Sequence, residues 1–285
     1  MSYSGILIPV GGNEDKGESV IEGYTLHFIE EGILSRIVQE SGGINAKIVV
    51  ITTASRIPVE VGEKYLEAFT KLGCTDVSIL DIRERDDAEK DHAVKLAHTA
   101  NCVMFSGGDQ SRIVDIIGDS TFHRILKHRF QNDRIVIAGT SAGAMAMSSE
   151  MISGGSSSEA MFKGSVKMSE GMKFIPGLII DSHFIQRGRF GRLAEAVARH
   201  PHLLGIGLAE DTGLIIENCN RFTVIGSGMV IIFDPSELTH NNVEILDEGT
   251  PLTMSNLKVH VLANSDSFSL EDRNIHVLPI HADFE

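Results

Sequence analysis

Apolar residues in the first half of the chain form short continuous runs, and each run is followed by a longer stretch with helical periodicity. The runs include GILIPVGG, AKIVVITTA, TDVSILDI, NCVMFSGG and RIVIAGT. Such runs indicate strands buried on both faces, and their alternation with helices is typical of repeated βα units. The pattern therefore predicts an α/β fold with a mainly parallel sheet sandwiched by helices.

The pattern changes after residue 203, where short strands separated by turn signals dominate. The runs LGIGLAE, GLIIE, RFTVIG and MVIIFD are separated by segments such as ENCN at 217–220. This predicts antiparallel hairpins that extend the same sheet. No composition shift marks a domain boundary, so residues 1–285 are predicted to form a single domain. Residues 148–173 are rich in Ser and Gly, which fits an active-site loop and a flexible excursion equally well.

Composition limits the possible partners and compartments. The formal charge is −14, the wrong sign for a surface that neutralises phosphates, so a nucleic-acid partner is not expected. The N-terminal apolar run is too short for a signal peptide core or a membrane span, and the three scattered cysteines suit a reducing compartment. We expect a cytoplasmic protein with no membrane association. No group of ligands has metal spacing, so we expect no metal and no cofactor.

The segment RIVIAGTSAGAMAM has the layout of a nucleophile elbow centred on Ser141. A β-branched strand runs into a serine flanked by glycines, and small residues then begin a helix. Such a turn projects the serine Oγ from the edge of the sheet and points the helix N-terminus at a developing oxyanion. The motif alone is equally compatible with a packed joint between strand and helix, so Ser141 needs a base and an acid nearby.

His183 is the favoured base among the twelve histidines, because it follows the buried strand LIID and should reach the same edge as Ser141. The candidates for the orienting acid are Asp181, Glu210 and Asp211. Glu210 lies at the end of another strand, whereas Asp181 would have to fold back on its neighbour. We therefore predict the order Ser, His, Glu. An α/β-hydrolase has the order Ser, acid, His, so an esterase or lipase is disfavoured.

Two further segments carry candidate substrate contacts. SGGDQ at 106–110 offers backbone N–H groups at a strand end, with Asp109 as a helix cap or as a substrate contact. Together with the N–H of Ala142, the N–H of Gly108 is expected to form an oxyanion hole. HFIQRGRFGRL places three arginines after His183, where guanidinium groups could hold a substrate carboxylate. These arginines are Arg187, Arg189 and Arg192.

Four motifs, which in chain order are SGGDQ, GTSAGA, DSHFIQRGRFGRL and GIGLAEDTG, resemble the cyanophycinases, and more distantly the aspartyl dipeptidases of the same peptidase group. The resemblance covers about residues 5–235. It implies a fold similar to the class I glutamine amidotransferases (flavodoxin-like), a homodimer, and catalysis by Ser141, His183 and Glu210 without a metal. It also implies substrate-binding roles for a further set: Gln110, Asp181, Ser182, Arg187, Arg189 and Arg192.

The resemblance implies a serine exopeptidase that releases β-Asp-Arg dipeptides from the polymer cyanophycin. Ser182 departs from the family, which usually has Gln at this position. Two alternatives stay open: an aspartyl or isoaspartyl dipeptidase acting on short peptides, and a non-catalytic relative that binds peptides. In each case the expected partner is a peptide or polymer.

Overall fold

A computed structural model describes residues 3–17, 26–155 and 160–277 of the chain. The first half alternates strands and helices as the apolar runs predict. Its elements are β1 (Ile6–Val10), α1 (Ile33–Glu40), β2 (Lys47–Ile51), α2 (Pro58–Lys71), β3 (Asp76–Leu80), α3 (Asp91–Thr99), β4 (Cys102–Phe105), α4 (Gln110–Ile117), α5 (Thr121–Asn132), β5 (Val136–Thr140) and α6 (Ala142–Met145).

The second half contains most of the strands and one long helix. Its elements are β6 (Glu150–Gly155), β7 (Val166–Glu170), β8 (Leu178–Asp181), α7 (Phe190–Arg199), β9 (Leu204–Leu208), β10 (Thr212–Glu217), β11 (Arg221–Gly226), β12 (Val230–Asp234), β13 (Lys258–Leu262), β14 (Ser267–Ser269) and β15 (Ile275–His276). In the described ranges, no helix is both long and apolar enough to span a lipid bilayer.

The main sheet has nine strands in the order β15-β14-β11-β10-β1-β5-β4-β2-β3. The five strands from β1 to β3 in this order pair in parallel, and β10 joins β1 antiparallel. The predicted α/β fold, with a mainly parallel centre and antiparallel C-terminal strands, is therefore confirmed.

Alternate residues of the central strands point into two separate cores. In β2, Ile48 and Val50 pack on one face with α1 and α2, whereas Val49 and Ile51 pack on the other with α3, α4 and α5. Because both faces of each strand are buried, the strand must be apolar at every position. This explains the continuous apolar runs in the sequence.

The expectation that all late strands extend one sheet is wrong. β10, β11, β14 and β15 do extend the main sheet, but β8, β9, β12 and β13 form a second sheet in the order β13-β12-β9-β8. The side chains of this second sheet join the larger of the two cores together with α7. Partner choice between strands depends on contacts that are distant in sequence, so local patterns cannot assign a strand to a sheet.

The segment 148–173 is more regular than its Ser- and Gly-rich composition predicts. β6 and β7 form an antiparallel hairpin with an irregularity between Ile152 and Gly154. Residues 156–159 of the segment lie outside the described residues. Much of the described part of this segment is therefore an ordered hairpin.

Candidate active site

Ser141 lies in a strained turn between β5 and α6. Its backbone has φ 52° and ψ −109°, which is rare for a residue with a side chain, and its N–H donates to Val10 O at 2.9 Å. Small residues are required because α6 packs closely on β4. A Cβ on Gly143 would lie 2.3 Å from Phe105 O. The predicted elbow is present, although α6 ends at Met145.

Ser141, His183 and Glu210 form a hydrogen-bonded line. Ser141 Oγ lies 2.9 Å from His183 Nε2, and His183 Nδ1 lies 2.6 Å from Glu210 Oε1. A carboxylate beside Nδ1 favours the tautomer with the proton on Nδ1, which leaves Nε2 free to accept the serine proton. Sequence reasoning had selected these three residues, and the structure brings them together.

Burial lowers the pKa of His183, and the nearby Arg187 and Arg189 act in the same direction, whereas Glu210 raises it. The net result is a pKa below the usual value for histidine. A neutral imidazole at neutral pH is the form that a general base requires.

The three residues come from two different sheets. Ser141 follows β5 of the main sheet, whereas His183 and Glu210 follow the parallel strands β8 and β9 of the second sheet. The carboxyl ends of parallel neighbours meet at one edge, which places His183 and Glu210 side by side. The site is therefore built where the two sheets meet.

Ser141 and His183 open into a cavity of about 450 Å³. The cavity also contains the proposed oxyanion residue Gly108 and its neighbour Gly107, beside the start of α6 at Ala142. Three cationic side chains line it as well: Lys16, Lys64 and Arg187.

Asp109 and Gln110 have partners in the fold. Asp109 caps α4 by accepting from Ser111 N at 2.9 Å, and Gln110 Nε2 donates to Ile152 O in β6 at 2.9 Å. Neither residue lines the cavity. The helix-cap interpretation of Asp109 therefore describes its contact in this structure.

Asp181, Ser182, Arg189 and Arg192, which the resemblance assigns to substrate binding, are not among the residues that line this cavity. The Asp181 side chain is fully buried and pairs with Arg189 (2.9 Å) and with Arg192 Nε (2.9 Å). Ser182 is also buried, and its hydroxyl donates to Met145 Sδ at 3.3 Å. The physical reason is that a buried carboxylate needs cationic partners, and the two arginines supply them.

Glu14 is the main site residue that sequence reasoning missed. Glu14 follows β1, and none of the sequence motifs assigns it a role. It is 3% exposed, and its carboxylate accepts from Thr140 Oγ1 (2.5 Å), Lys16 Nζ (2.9 Å) and the hydroxyl of Tyr65. Burial raises the pKa of Glu14, but Lys16 and these hydrogen bonds outweigh burial and lower it overall. The only sequence signal was an acidic residue just after a strand.

Within the part of the chain that the structure describes, no three His, Cys, Asp or Glu side chains are grouped so that they could hold a metal ion. The ligands for a catalytic zinc are three such side chains. The groups that are joined in this site are a serine hydroxyl, an imidazole and a carboxylate.

Several known proteins are similar in sequence to this chain over most of its length. The sequence profile described as Peptidase family S51 matches residues 25–224. A cyanophycinase from Nostoc sp. is 38% identical over 269 residues, covering 94% of this chain and 87% of that protein. A cyanophycinase from Geminocystis herdmanii is 34% identical over 266 residues, covering 93% of each. These matches confirm the resemblance found in the sequence motifs.

A solved structure extends the likeness to the fold. The crystal structure of a peptidase from an acI-B1 actinobacterium superposes with a TM-score of 0.63 and 20% identity, covering 94% of this chain and 98% of that one. At this identity the likeness supports the fold alone. With the profile match and the identity to the curated relatives, the chain belongs to peptidase family S51 and is a serine peptidase.

Proposed function

We propose that this protein is a serine exopeptidase that hydrolyses β-aspartyl peptide bonds and releases β-Asp-Arg dipeptides from cyanophycin. The observation that carries the proposal is the Ser141–His183–Glu210 line, because Ser141 and His183 open into a cavity lined by charged side chains of both signs. Two relatives named cyanophycinase, each covered over most of its length, support the choice of cyanophycin as the substrate. We further propose a cytoplasmic homodimer with one domain per chain.

The reaction begins when Ser141 Oγ attacks the scissile carbonyl carbon and His183 Nε2 takes the hydroxyl proton. The carbonyl oxygen becomes an oxyanion, which the backbone N–H groups of Gly108 and Ala142 stabilise in this proposal. His183 then gives its proton to the leaving amine, and the C–N bond breaks to leave an acyl-enzyme. Water, deprotonated by His183, releases the acid and restores Ser141. Glu210 holds the imidazole tautomer in both halves.

The cavity has charges of both signs for a substrate that also carries both. Arg187 and Lys64 can pair with aspartyl carboxylates, and Asp15 can pair with a guanidinium. A peptide made of aspartate and arginine matches this set. Of the three predicted arginines, Arg187 is therefore the one proposed to bind substrate directly.

The test is a product analysis by liquid chromatography and mass spectrometry. The protein and its Ser141→Ala variant are incubated with cyanophycin, β-Asp-Arg and α-Asp-Arg. Release of β-Asp-Arg from cyanophycin by the natural sequence alone supports the proposal. Cleavage of the free dipeptides with cyanophycin intact would instead favour a dipeptidase. If nothing is cleaved and both proteins bind the peptides equally, the chain is a binding protein.

A further inference from the structure

Three consecutive carbonyl groups, beginning with the last residue of β1, accept hydrogen bonds from the segments that carry the catalytic residues. Each accepts one backbone hydrogen bond, from the amide of Ser141, of His183, or of the residue after Glu210. The pairs are Val10 O with Ser141 N (2.9 Å), Gly11 O with His183 N (2.8 Å) and Gly12 O with Asp211 N (2.9 Å). One short stretch of chain therefore sets the spacing of all three catalytic residues.

The next residue, Asn13, contacts the triad through its side chain. Asn13 Nδ2 donates to Glu210 Oε2 at 3.2 Å, while Glu210 Oε1 faces His183 Nδ1 at 2.6 Å. The carboxylate is thus held at both oxygens. Gln186 Oε1 accepts from the backbone N–H of Glu210 at 3.2 Å, which fixes the main chain but not the carboxylate.

Restraint of the carboxylate matters because the Glu210 side chain is 23% exposed. A glutamate has three side-chain torsions and loses substantial rotamer entropy when it is fixed. A hydrogen bond to the second oxygen favours the rotamer in which the first oxygen faces the imidazole.

The position of Asn13 is fixed on both sides. Before it, Gly12 packs against the His183 ring so closely that a Cβ would lie 2.5 Å from the ring. After it, Glu14 is buried against Thr140, the residue that precedes Ser141. Asn13 itself has φ 52°, a left-handed conformation that asparagine adopts more readily than most residues. The amide is therefore presented from a rigid segment.

We propose that Asn13 is a positioning residue that holds the Glu210 carboxylate in hydrogen-bonding position beside His183. Asn13 lies on the segment that sets the spacing of all three catalytic residues. The inference rests on the proposed function of Ser141, His183 and Glu210. It is independent of which peptide is the substrate, because the contacts involve no substrate atom.

The test compares Asn13→Ala and the isosteric Asn13→Asp with the natural sequence. The first readout is the rate at which a fluorophosphonate modifies Ser141, followed by intact mass, because this reaction needs the activated serine but no substrate. The second readout is kcat and KM on the best substrate found. We expect roughly tenfold slower modification and a roughly tenfold lower kcat for Asn13→Ala, with KM changed less than about twofold.

The pH dependence distinguishes positioning from a merely structural role. Asn13→Asp adds a second carboxylate near Glu210, which raises the pKa of His183 against the opposing charges of Arg187 and Arg189. The acid limb of the pH–rate profile of Asn13→Asp should therefore move to higher pH. Relative to the natural sequence, the loss of rate should then be larger at pH 5 than at pH 8. A loss of rate in Asn13→Asp that is the same at every pH would overturn the proposal.

Two controls complete the experiment. Asn132→Ala makes the same chemical change on α5, where Asn132 Nδ2 donates to His128 O, and should react like the natural sequence. Thermal unfolding establishes that each variant is folded. A raised KM with an unchanged modification rate would make Asn13 a substrate contact and overturn the proposal. Modification of Ser141 without cleavage of any aspartyl peptide would instead sink the proposed substrate and leave the role of Asn13 standing.

Discussion

Glu14 Oε2 accepts a hydrogen bond from Thr140 Oγ1 at 2.5 Å, which joins the loop after β1 to the residue before Ser141. The same carboxylate accepts from Lys16 and from the Tyr65 hydroxyl. A buried carboxylate with three donors supports the turn that projects the serine. Its loss should therefore affect both stability and the reactivity of Ser141.

Glu14→Gln tests this relationship with a side chain of the same shape. The amide offers two donors where the surroundings already donate, so one or more buried groups lose their partner. We expect a loss of about 2 kcal/mol in the free energy of unfolding and slower modification of Ser141. Urea unfolding measures the first quantity. Glu63→Gln on the exposed side of α2 is the matched control, and equal stability of the two variants would contradict the assignment.

Gly12→Ala should displace the imidazole. An added Cβ would lie 2.5 Å from His183 Cε1 and 2.6 Å from Nε2, and Gly12 has φ +104°. We expect turnover to fall by roughly 100-fold or more, because even a 1 Å displacement of a catalytic group can have this effect. Gly43→Ala is the control, since Gly43 has φ +91° but open space around its Cα. Both variants should lose stability from backbone strain, and only Gly12→Ala should lose activity.

The activity of the protein should persist into mildly acidic solution. His183 must be neutral to act as a base, and its pKa lies below the ordinary value of 6.5 because of burial. Activity is therefore retained as pH falls to 6.5 and is lost only when pH falls through the lowered pKa. The measurement is kcat/KM between pH 4 and 8. A midpoint above 6.5 would mean that Glu210 outweighs burial and the arginines.

His123 should make stability depend on pH. It is 2% exposed, its Nε2 donates to Met172 O (2.8 Å), its Nδ1 accepts from Asp119 N (2.9 Å), and burial lowers its pKa to about 4. Because the folded pKa is depressed, the unfolded chain binds the proton first. The stability contribution is present above pH 6.5 and is lost as pH falls towards 4, by roughly 1.4 kcal/mol per pH unit.

Urea unfolding at pH 7 and pH 5 measures this loss. His123→Gln can accept and donate at similar positions but does not titrate, so its stability should fall less over this range. The exposed His92→Gln on α3 is the control and should keep the full dependence. An unchanged pH dependence in His123→Gln would show that other groups account for the effect.

Arg187 and Arg192 should respond differently to the same substitution. Arg192 is buried on Asp181, and its removal leaves a buried carboxylate with fewer partners, so Arg192→Ala should lose roughly 3 kcal/mol of stability. Arg187 lines the cavity and is exposed, so Arg187→Ala should raise KM with little change in unfolding. Thermal unfolding and steady-state kinetics on both variants check the pair. If Arg192→Ala raised KM and Arg187→Ala lowered stability instead, Arg192 would be the arginine that contacts substrate.

The sequence by itself determined the parallel strands of the main sheet, and it made Ser141 the candidate for an elbow. Ile48 to Ile51 had to be apolar at every position because both faces of β2 are buried, and this requirement is visible locally. The choice of His183 and Glu210 followed from strand ends, since each comes directly after an apolar run.

Only the tertiary structure decided that His183 and Glu210 stand on a second sheet, that Asp181 turns inward to two arginines, and that Glu14 lies buried beside Thr140. Strand pairing and the burial of charge depend on partners far away in the chain. Glu14 and Thr140 are 126 residues apart. The periodicity of a helix or strand can be identified in a short segment of the sequence. The contact partner of a charged side chain is determined only when the chain folds.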